Sequence, residues 1–327
     1  MERRECVEMN NQPLVSVPVI TYNSSKFVLE TLESIKAQTY QNIELIISDD
    51  CSTDNTIELC QKWVEQNKDR FIRTQIITAE TNTGVSANLN RAENVCRGEW
   101  VKTIAGDDIL MPDCIDIYIK YILEHPDVVY IFGRVEVFGS TKERNCFYAE
   151  KVFNYNFFSL DSKMQYEQLM LGENCIPAPT CFYNRLHSKF LEVQNDEKVP
   201  MLEDWPRWIQ LLEKGVKFHF VDKIVVGYRI HNNSLSTSLR MPIKTLESCI
   251  LFDLYYRYPY WAKNNKIEAA NRLAKSYVDM YKELLYFESQ YINVRSSFAY
   301  RLGKLLLRPF RVFKKLIILL SNVIISK

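Results

Sequence analysis

At 327 residues, the chain is long enough for one domain of roughly 200–250 residues with an appended segment. Apolar residues make up 47% and charged residues 25% of the sequence, a balance that excludes chain-wide disorder and a collagen-like fibre. The formal net charge of +1 is too close to zero for a protein that binds nucleic acid along its whole length.

The charge is unevenly distributed along the chain. Residues 301–327 contain seven basic residues and no acidic ones. Of the 41 basic and 40 acidic residues, 34 basic and 40 acidic therefore lie in the first 300, a net charge of −6 there. The sequence predicts a mildly acidic body followed by a basic tail.

The cysteines and the N-terminus indicate the compartment. The nine cysteines include no CxxC pair, which favours thiols in a reducing compartment over a zinc module or a disulfide framework. Residues 1–13 carry charges but no apolar stretch, so we expect no signal peptide there. Both features predict a cytoplasmic protein.

The first hundred residues alternate between strand-like and helix-like sequence. Val28, Leu32 and Ile35 recur with helical spacing between the first two apolar runs. Such alternation predicts a parallel sheet built from right-handed βαβ units. The predicted strands are Val15–Ile20, Ile43–Ile47, Phe71–Ile77 and Glu99–Ile104.

The second half is less regular. We expect a mixed loop and strand over Asn174–Tyr183 and an amphipathic helix over Trp205–Lys214. A boundary near Met241–Pro242 opens a helix-rich, tyrosine-rich segment. The further predicted strands are Val128–Phe132, Val135–Phe138 and Phe218–Tyr228.

Polar side chains follow three of the predicted parallel strands. They form the pairs Thr21–Tyr22, Asp49–Asp50 and Asp107–Asp108. Because the carboxyl ends of parallel strands meet at one edge of a sheet, and ligands bind there, the three pairs predict one site.

The sequence lacks the glycine-rich phosphate-binding loops. Its nine glycines form neither G-x-G-x-x-G nor G-x-x-x-x-G-K-[ST], which excludes a dinucleotide-type Rossmann site and a P-loop. A divalent cation between phosphates and a carboxylate is the alternative, and Mg²⁺ or Mn²⁺ would find hard oxygen ligands in Asp107–Asp108.

Six segments resemble the family 2 glycosyltransferases of the GT-A fold in order and spacing. They are VSVPVITYN, IELIISDDCSTDNT, NTGVSANLNRAENVCRGEW, IAGDDILMPD, LEDWPRWIQLLEKG and VVGYRIHNNSLS. The resemblance covers residues 13–236 and implies an α/β GT-A domain. Its donor half would be residues 13–108 and its acceptor half residues 109–236, followed by a helical region at 237–327.

The resemblance implies a nucleotide-diphosphate-sugar site. Asp50 would accept the N3–H of uracil or thymine, with Thr21 and Tyr22 lining the base and ribose. Gly84 would make a tight turn and Asn90 a polar contact near the nucleotide, although ordinary loop and helix roles are equally open for these two. Asp49 is expected to support the turn, since Asp also favours helix N-caps. Leu89 stands where relatives often have Arg, and Arg91 is the candidate to replace that phosphate contact.

The resemblance also implies a cation site. Asp108 would bind the cation that holds the diphosphate, and Asp107 would contact the ribose or the cation's outer coordination sphere. His231 would ligate the cation or contact the diphosphate, with Arg229 neutralising phosphate. The first position of the motif is Ala105 rather than Asp, so fewer carboxylates are available. A solvated turn and a structural histidine are the alternatives.

The resemblance assigns Asp204 as the general base of an inverting transfer. An inverting reaction needs a base beside the acceptor hydroxyl, opposite the departing nucleotide. The alternative is N-capping, because Asp204 precedes Trp205–Pro206 and both Asp and Pro are favoured where a helix begins. Residues 174–180, NCIPAPT, would face the acceptor.

The tail at 300–327 alternates basic and apolar residues. Its apolar end, Leu316–Ile325, would span only about 15 Å as a helix, against a hydrocarbon core of roughly 30 Å. We therefore expect it to lie on the inner face of the membrane through its basic residues, with packing on protein as the alternative.

These features together predict a cytoplasmic, membrane-associated, inverting glycosyltransferase. It would move a sugar from a UDP- or dTDP-sugar to a hydroxyl of a lipid-linked surface glycan, using Mn²⁺ or Mg²⁺ and no nucleic acid. One rival is a nucleotide-binding, non-catalytic partner subunit, which Ala105 and Leu89 favour. The other is a nucleotidyltransferase, which would need a glycine-rich basic loop where this chain has TYNSSKF.

Overall fold

The computed structural model describes residues 12–140, 153–231 and 243–264, together with positions 266, 268, 271, 275 and 279. The predicted boundary at Met241–Pro242 and the predicted tail at 300–327 lie outside these residues.

A single mixed sheet organises the described part of the chain. Its strand order is β3-β2-β1-β4-β8-β7-β9-β6, and β5 pairs with β1. The strands are β1 Val15–Thr21, β2 Ile43–Asp49, β3 Arg73–Thr78, β4 Trp100–Lys102, β5 Ile104–Ala105, β6 Ile109–Leu110, β7 Tyr130–Phe138, β8 Phe182–Asn184 and β9 His219–Arg229.

The strands from the first hundred residues pair in parallel, as the alternation predicted. β1 pairs with β2, β4 and β5 in parallel, and β2 pairs with β3 in parallel. β8 then runs antiparallel to both β4 and β7, while β9 runs parallel to β7 and antiparallel to β6. The carboxyl ends of β1 and β2 thus meet at one edge.

Helices flank the sheet. In α1, Val28, Leu32 and Ile35 are fully buried, which confirms the apolar stripe predicted for this helix. The helices are α1 Val28–Lys36, α2 Thr56–Asn67, α3 Val85–Val95, α4 Cys114–Glu124, α5 Ser162–Leu171, α6 Arg185–Phe190, α7 Asp204–Glu213, α8 Ile243–Phe252 and α9 Tyr258–Lys263, with a π-helical turn at Asp253–Arg257.

Three of the predicted strands are divided differently in the structure. The two strands expected within residues 128–138 form one strand, β7, whose register shifts between Phe132 and Val135. Gly133 lies at that irregularity, where a Cβ would come within 2.6 Å of Val225 Cγ2. The strand expected at Glu99–Ile104 is instead split into β4 and β5.

The chain divides into two compact units between Arg257 and Tyr258. Helix α8 and the π-helical turn therefore belong to the same unit as the sheet, whereas α9 belongs to the second unit. None of the helices in the described residues is long and apolar enough to span a bilayer.

Candidate active site

The end of β1 contributes one buried and one exposed side chain. The hydroxyl of Thr21 is buried and donates to Asp49 Oδ2 at 2.7 Å. Asp49 also accepts from the backbone N–H and the hydroxyl of Ser52, at 2.7 and 2.6 Å. Tyr22 is 49% exposed beside them. Thr21 and Asp49 thus fix the turn after β2, and the ring of Tyr22 is accessible to a ligand.

The carboxylate of Asp50 is buried and accepts four hydrogen bonds. Oδ2 accepts from the backbone N–H groups of Thr83 and Gly84 at 2.9 and 2.7 Å. Oδ1 accepts from the Thr83 hydroxyl at 2.6 Å and from Arg91 Nη2 at 3.0 Å. Both oxygens are therefore engaged by the protein itself, and Asp50 binds the loop before α3 to the end of β2.

Gly84 lies where this loop enters α3. Its φ of +93° is in the region that favours glycine, and a Cβ there would approach the carbonyl oxygen of Pro200 to 2.9 Å. Only glycine combines this backbone conformation with this contact. Gly84 thus makes a tight turn against the segment that leads to Asp204.

The side chain of Asn90 is engaged by another part of the protein. Its Nδ2 donates to the carbonyl of Asn195 and to Glu197 Oε1, at 2.9 and 3.0 Å. Its Oδ1 accepts from the backbone and side-chain nitrogens of Asn195, both at 3.0 Å. A nucleotide contact from Asn90, as expected from the sequence, would compete with these bonds.

The two aspartates after β5 lie in different environments. Asp108 is 1% exposed, and its Oδ1 accepts from the backbone N–H of Arg229 at 2.9 Å. Burial, followed by the charge of Asp107, raises the pKa of Asp108 well above its usual value. The Asp107 side chain is 29% exposed, and its Oδ2 lies 2.9 Å from His231 Nε2. The more accessible carboxylate is thus Asp107.

Arg229 clamps this turn. Its Nε donates to the carbonyl of Asp107 at 2.8 Å, and its Nη2 pairs with Glu30 Oε2 at 2.6 Å. The guanidinium also lies over the rings of Phe27 and Phe138, at 4.7 and 4.5 Å from their centroids. A carboxylate of the protein already engages its charge, whereas the sequence had suggested phosphate as the partner.

The described residues contain no group of three or more His, Cys, Asp or Glu side chains arranged to hold a metal ion. Asp107 and His231 offer one oxygen and one nitrogen ligand, and substrate phosphate oxygens commonly complete the coordination of Mg²⁺ or Mn²⁺. The donor set fits a cation that binds together with the nucleotide.

Asp204 is the first residue of α7, one position later than an N-cap. Its Oδ1 accepts from the backbone N–H of Trp205 and its Oδ2 from Asn174 Nδ2, both at 2.6 Å. Burial raises the pKa of Asp204, and these two hydrogen bonds oppose the shift.

Glu203 occupies the N-cap without a side-chain capping bond. Burial and the charge of Asp204 raise the pKa of Glu203 to about 8.

A short segment, residues 195–201, links helix α3 to the region of Asp204. Ser86 at the start of α3 donates through its backbone N–H to the carbonyl of Pro200, and through its hydroxyl to that of Val199. On the other side, the backbone N–H of Met201 donates to Ser248 of α8. The segment is therefore held by α3 on one side and by α8 on the other. Its last residue, Met201, lies two positions before Glu203.

The sequence interpretation did not single out Thr83. It named Asn174 only as part of the acceptor-facing segment 174–180, and it considered Arg91 only for phosphate. Each contacts one of the acidic residues that it did identify. Only Arg91 could have been found from the sequence. Relatives often have Arg at the position of Leu89, and Arg91 lies two positions later.

The sequence profile described as "Glycosyl transferase family 2" matches residues 16–185, about half of the chain. The chain belongs to this family. It is a glycosyltransferase, and its mixed sheet is that of the GT-A fold.

Curated and solved relatives have the same family or fold. WfaP of Escherichia coli, a UDP-Glc:alpha-D-GlcNAc-diphosphoundecaprenol beta-1,3-glucosyltransferase, is 27% identical over 69% of this chain and 80% of its own. Residues 1–349 of S. aureus TarS, solved with UDP-GlcNAc, superpose with a TM-score of 0.58 at 20% identity, covering 74% of this chain and 66% of that one. The mannosyltransferase PcManGT of Pyrobaculum calidifontis, solved with GDP-Man and Mn²⁺, gives 0.51 at 16% identity, covering 82% and 80%.

The Asn90 network predicts a loss of stability on truncation. In Asn90→Ala, the buried nitrogens of Asn195 lose their acceptor, so we expect the free energy of unfolding to fall by roughly 1–3 kcal/mol in urea denaturation. Asn67→Ala, which removes one bond within α2, should change it by less than about 0.5 kcal/mol. Unchanged stability with lost UDP affinity would instead place Asn90 in the donor site.

The raised pKa of Glu203 predicts a pH-dependent stability. Folding favours the protonated form of Glu203, so its contribution is complete below its unfolded pKa near 4.5 and is lost as the pH rises through about 8. The free energy of unfolding of Glu203→Gln should therefore fall less between pH 5 and 8.5 than that of the wild type. Glu213→Gln, at the exposed end of α7, is the control and should retain the wild-type slope.

Proposed function

We propose that the protein is an inverting glycosyltransferase of surface-polysaccharide synthesis, which moves a sugar from a UDP- or dTDP-sugar to a lipid-linked glycan. The observation that carries this proposal is the Asp204 carboxylate, half-buried at the start of α7 and held by one donor on each oxygen. This is the arrangement that a general base requires, because it is oriented and still has lone pairs available.

The proposed donor site is the edge where β1 and β2 end. The exposed ring of Tyr22 offers a surface for the base and ribose. For Asp50 to accept the N3–H of uracil or thymine, one of its four present donors must turn away. We assign this movement to the Thr83 hydroxyl, because a hydroxyl rotates about one bond while the two backbone donors stay in place.

Asp107 and His231 are the proposed cation ligands. This reverses the order expected from sequence, because Asp108 is buried and its Oδ1 accepts from Arg229. Bound there, Mn²⁺ or Mg²⁺ would offset the negative charge of the leaving diphosphate. Asp108 and Arg229 would hold the turn that presents Asp107.

Asp204 would act on the acceptor. As the acceptor oxygen attacks the anomeric carbon of the donor sugar, the carboxylate takes the hydroxyl proton. The bond to the nucleotide diphosphate breaks on the opposite face, which inverts the anomeric configuration. Asp204 must be ionised for this step, whereas Glu203, with a pKa of about 8, is largely protonated at neutral pH.

The acceptor class rests on the relatives. WfaP acts on a diphosphoundecaprenol-linked sugar, as its name states, and it is aligned over 69% of this chain. The basic tail at 300–327 would keep the enzyme at the inner face of the membrane, where such an acceptor resides. We therefore propose a peripheral, cytoplasmic enzyme.

Asp204→Asn tests the catalytic proposal. Loss of a positioned base should lower sugar transfer from UDP-glucose or UDP-GlcNAc by roughly 10²- to 10⁴-fold, with calorimetric UDP affinity unchanged. Asp222 lies on β9 in an exposed ion pair with Arg134, so Asp222→Asn is the matched control and should retain activity. Wild-type transfer rates in Asp204→Asn would refute the base, and wild-type protein that binds UDP but transfers no sugar would support the partner-subunit alternative.

Titration of UDP with and without Mn²⁺ tests the cation assignment. Asp107→Ala and His231→Ala should each remove most of the Mn²⁺-dependent gain in UDP affinity, because each loses one ligand. Asp108→Asn keeps an oxygen for the Arg229 N–H and should retain the gain. The opposite pattern, with loss only in Asp108→Asn, would restore Asp108 as the ligand.

A further inference from the structure

The loop after α5 brings an amide to the carboxylate of Asp204. Asn174 lies three residues beyond Leu171, the last residue of α5, and its Nδ2 donates to Asp204 Oδ2 at 2.6 Å. The two residues are 30 positions apart, so the contact depends on tertiary structure.

The orientation of the amide is defined by a second contact. Asn174 Oδ1 accepts from the backbone N–H of Ile176 at 3.2 Å. The NH₂ group therefore faces Asp204, whose carboxylate can only accept when it is ionised. One side chain performs two separable tasks, because its oxygen fixes the loop and its nitrogen contacts the carboxylate.

The backbone that carries Asn174 is anchored at two places. The carbonyl of Gly172 accepts from Arg257 Nη1 at 3.1 Å, and the carbonyl of Cys175 accepts from the backbone N–H of Asn154 at 3.1 Å. The guanidinium of Arg257 also lies over the ring of Trp205, 5.0 Å from its centroid. The loop is thus tied to the residue that follows Asp204. This keeps the Asn174 amide next to the Asp204 carboxylate.

We propose that Asn174 is a positioning residue, which holds the Asp204 carboxylate in one orientation and in its ionised form so that it can accept the proton of the acceptor hydroxyl. This inference rests on the proposed function of Asp204 as the base. Because Trp205 N–H holds Oδ1 and Asn174 holds Oδ2, the carboxylate cannot rotate without losing both bonds.

Several ionisable groups surround Asp204. Glu203 precedes it in the chain, and Cys249 faces it from α8, where burial and the charges of Asp253 and Asp204 raise the pKa of the thiol to about 11. Arg257 contributes a positive charge, which Asp253 partners at 3.1 Å. Burial favours protonation of Asp204, and the hydrogen bonds from the Trp205 N–H and the Asn174 amide oppose this effect.

Two substitutions separate the two tasks of Asn174. Asn174→Asp keeps an oxygen for the Ile176 N–H but replaces the donor to Asp204 with a second carboxylate. Asn174→Ala removes both contacts. Gln168→Ala is the matched control, because Gln168 contacts Cys175 Sγ in the same loop and makes no bond to Asp204.

Two measurements follow these variants in the full-length protein. One is the pH profile of sugar transfer from UDP-glucose or UDP-GlcNAc at saturating donor. The other is the pH titration of the Asp204 carboxyl by ¹³C NMR with labelled aspartate, assigned by its disappearance in Asp204→Asn. The NMR titration needs no turnover, so it tests Asn174 even where the base assignment fails.

We expect the apparent pKa of Asp204 to rise by about one pH unit in Asn174→Ala and further in Asn174→Asp. The acid limb of the transfer profile should move by the same amount, with KM for the donor unchanged, and Gln168→Ala should match the wild type. If Asn174 only fixes the loop, both titrations of Asn174→Ala should stay at their wild-type positions, and that result overturns the inference. If Asp204→Asn retains transfer, the proposed function fails, while a shifted NMR titration would still establish the contact of Asn174.

Discussion

The buried carboxylate of Asp50 is the constraint on which the rest of the site depends. A carboxylate removed from water must be satisfied by donors, and here two backbone N–H groups, one hydroxyl and one guanidinium supply them. These donors belong to the loop before α3, so the loop is fixed to the end of β2. Gly84 in that loop packs against Pro200, and the position of the segment before Asp204 follows from it.

The loop and helix fixed by Asp50 are therefore joined to the segment before Asp204 by specific hydrogen bonds. Asn90 and Ser86 of α3 hold residues 195–200, while Ser248 of α8 holds Met201 from the other side. A parallel sheet edge alone would place only the residues that follow its strands, since Asp204 lies on a helix outside it. The coupling means that the Asp204 carboxylate, the proposed general base, is positioned by elements from both parts of the sequence. A substitution on α3 can then change transfer without contacting either substrate.

The sequence predicted the parallel half of the sheet, the amphipathic α1 and α7, and the acidic pairs at the strand ends, because these follow from short periodic patterns. It could not distinguish the members of a pair. Asp107 and Asp108 are adjacent in the chain, yet Asp108 is buried. Its carboxylate accepts a hydrogen bond from the backbone N–H of Arg229, which lies 121 positions later. The family resemblance implied a nucleotide contact for Asn90, but its partners Asn195 and Glu197 follow more than a hundred residues later. Such pairings depend on the folded chain and leave no local pattern.

Three pairs of adjacent acidic residues occur in the site, namely Asp49–Asp50, Asp107–Asp108 and Glu203–Asp204. Two adjacent carboxylates repel each other when both are charged, and burial disfavours the charged form. In each pair, the two residues have different hydrogen-bond partners or different burial. Asp49 is held within its own turn by Thr21 and Ser52, whereas Asp50 binds a distant loop. Asp108 is withdrawn into the protein and leaves Asp107 accessible. Glu203 has a pKa of about 8 and so is largely protonated at neutral pH, which removes a repelling charge from beside Asp204. The amide of Asn174 then favours ionisation of Asp204, so the protonation of each pair is set by the donors around it.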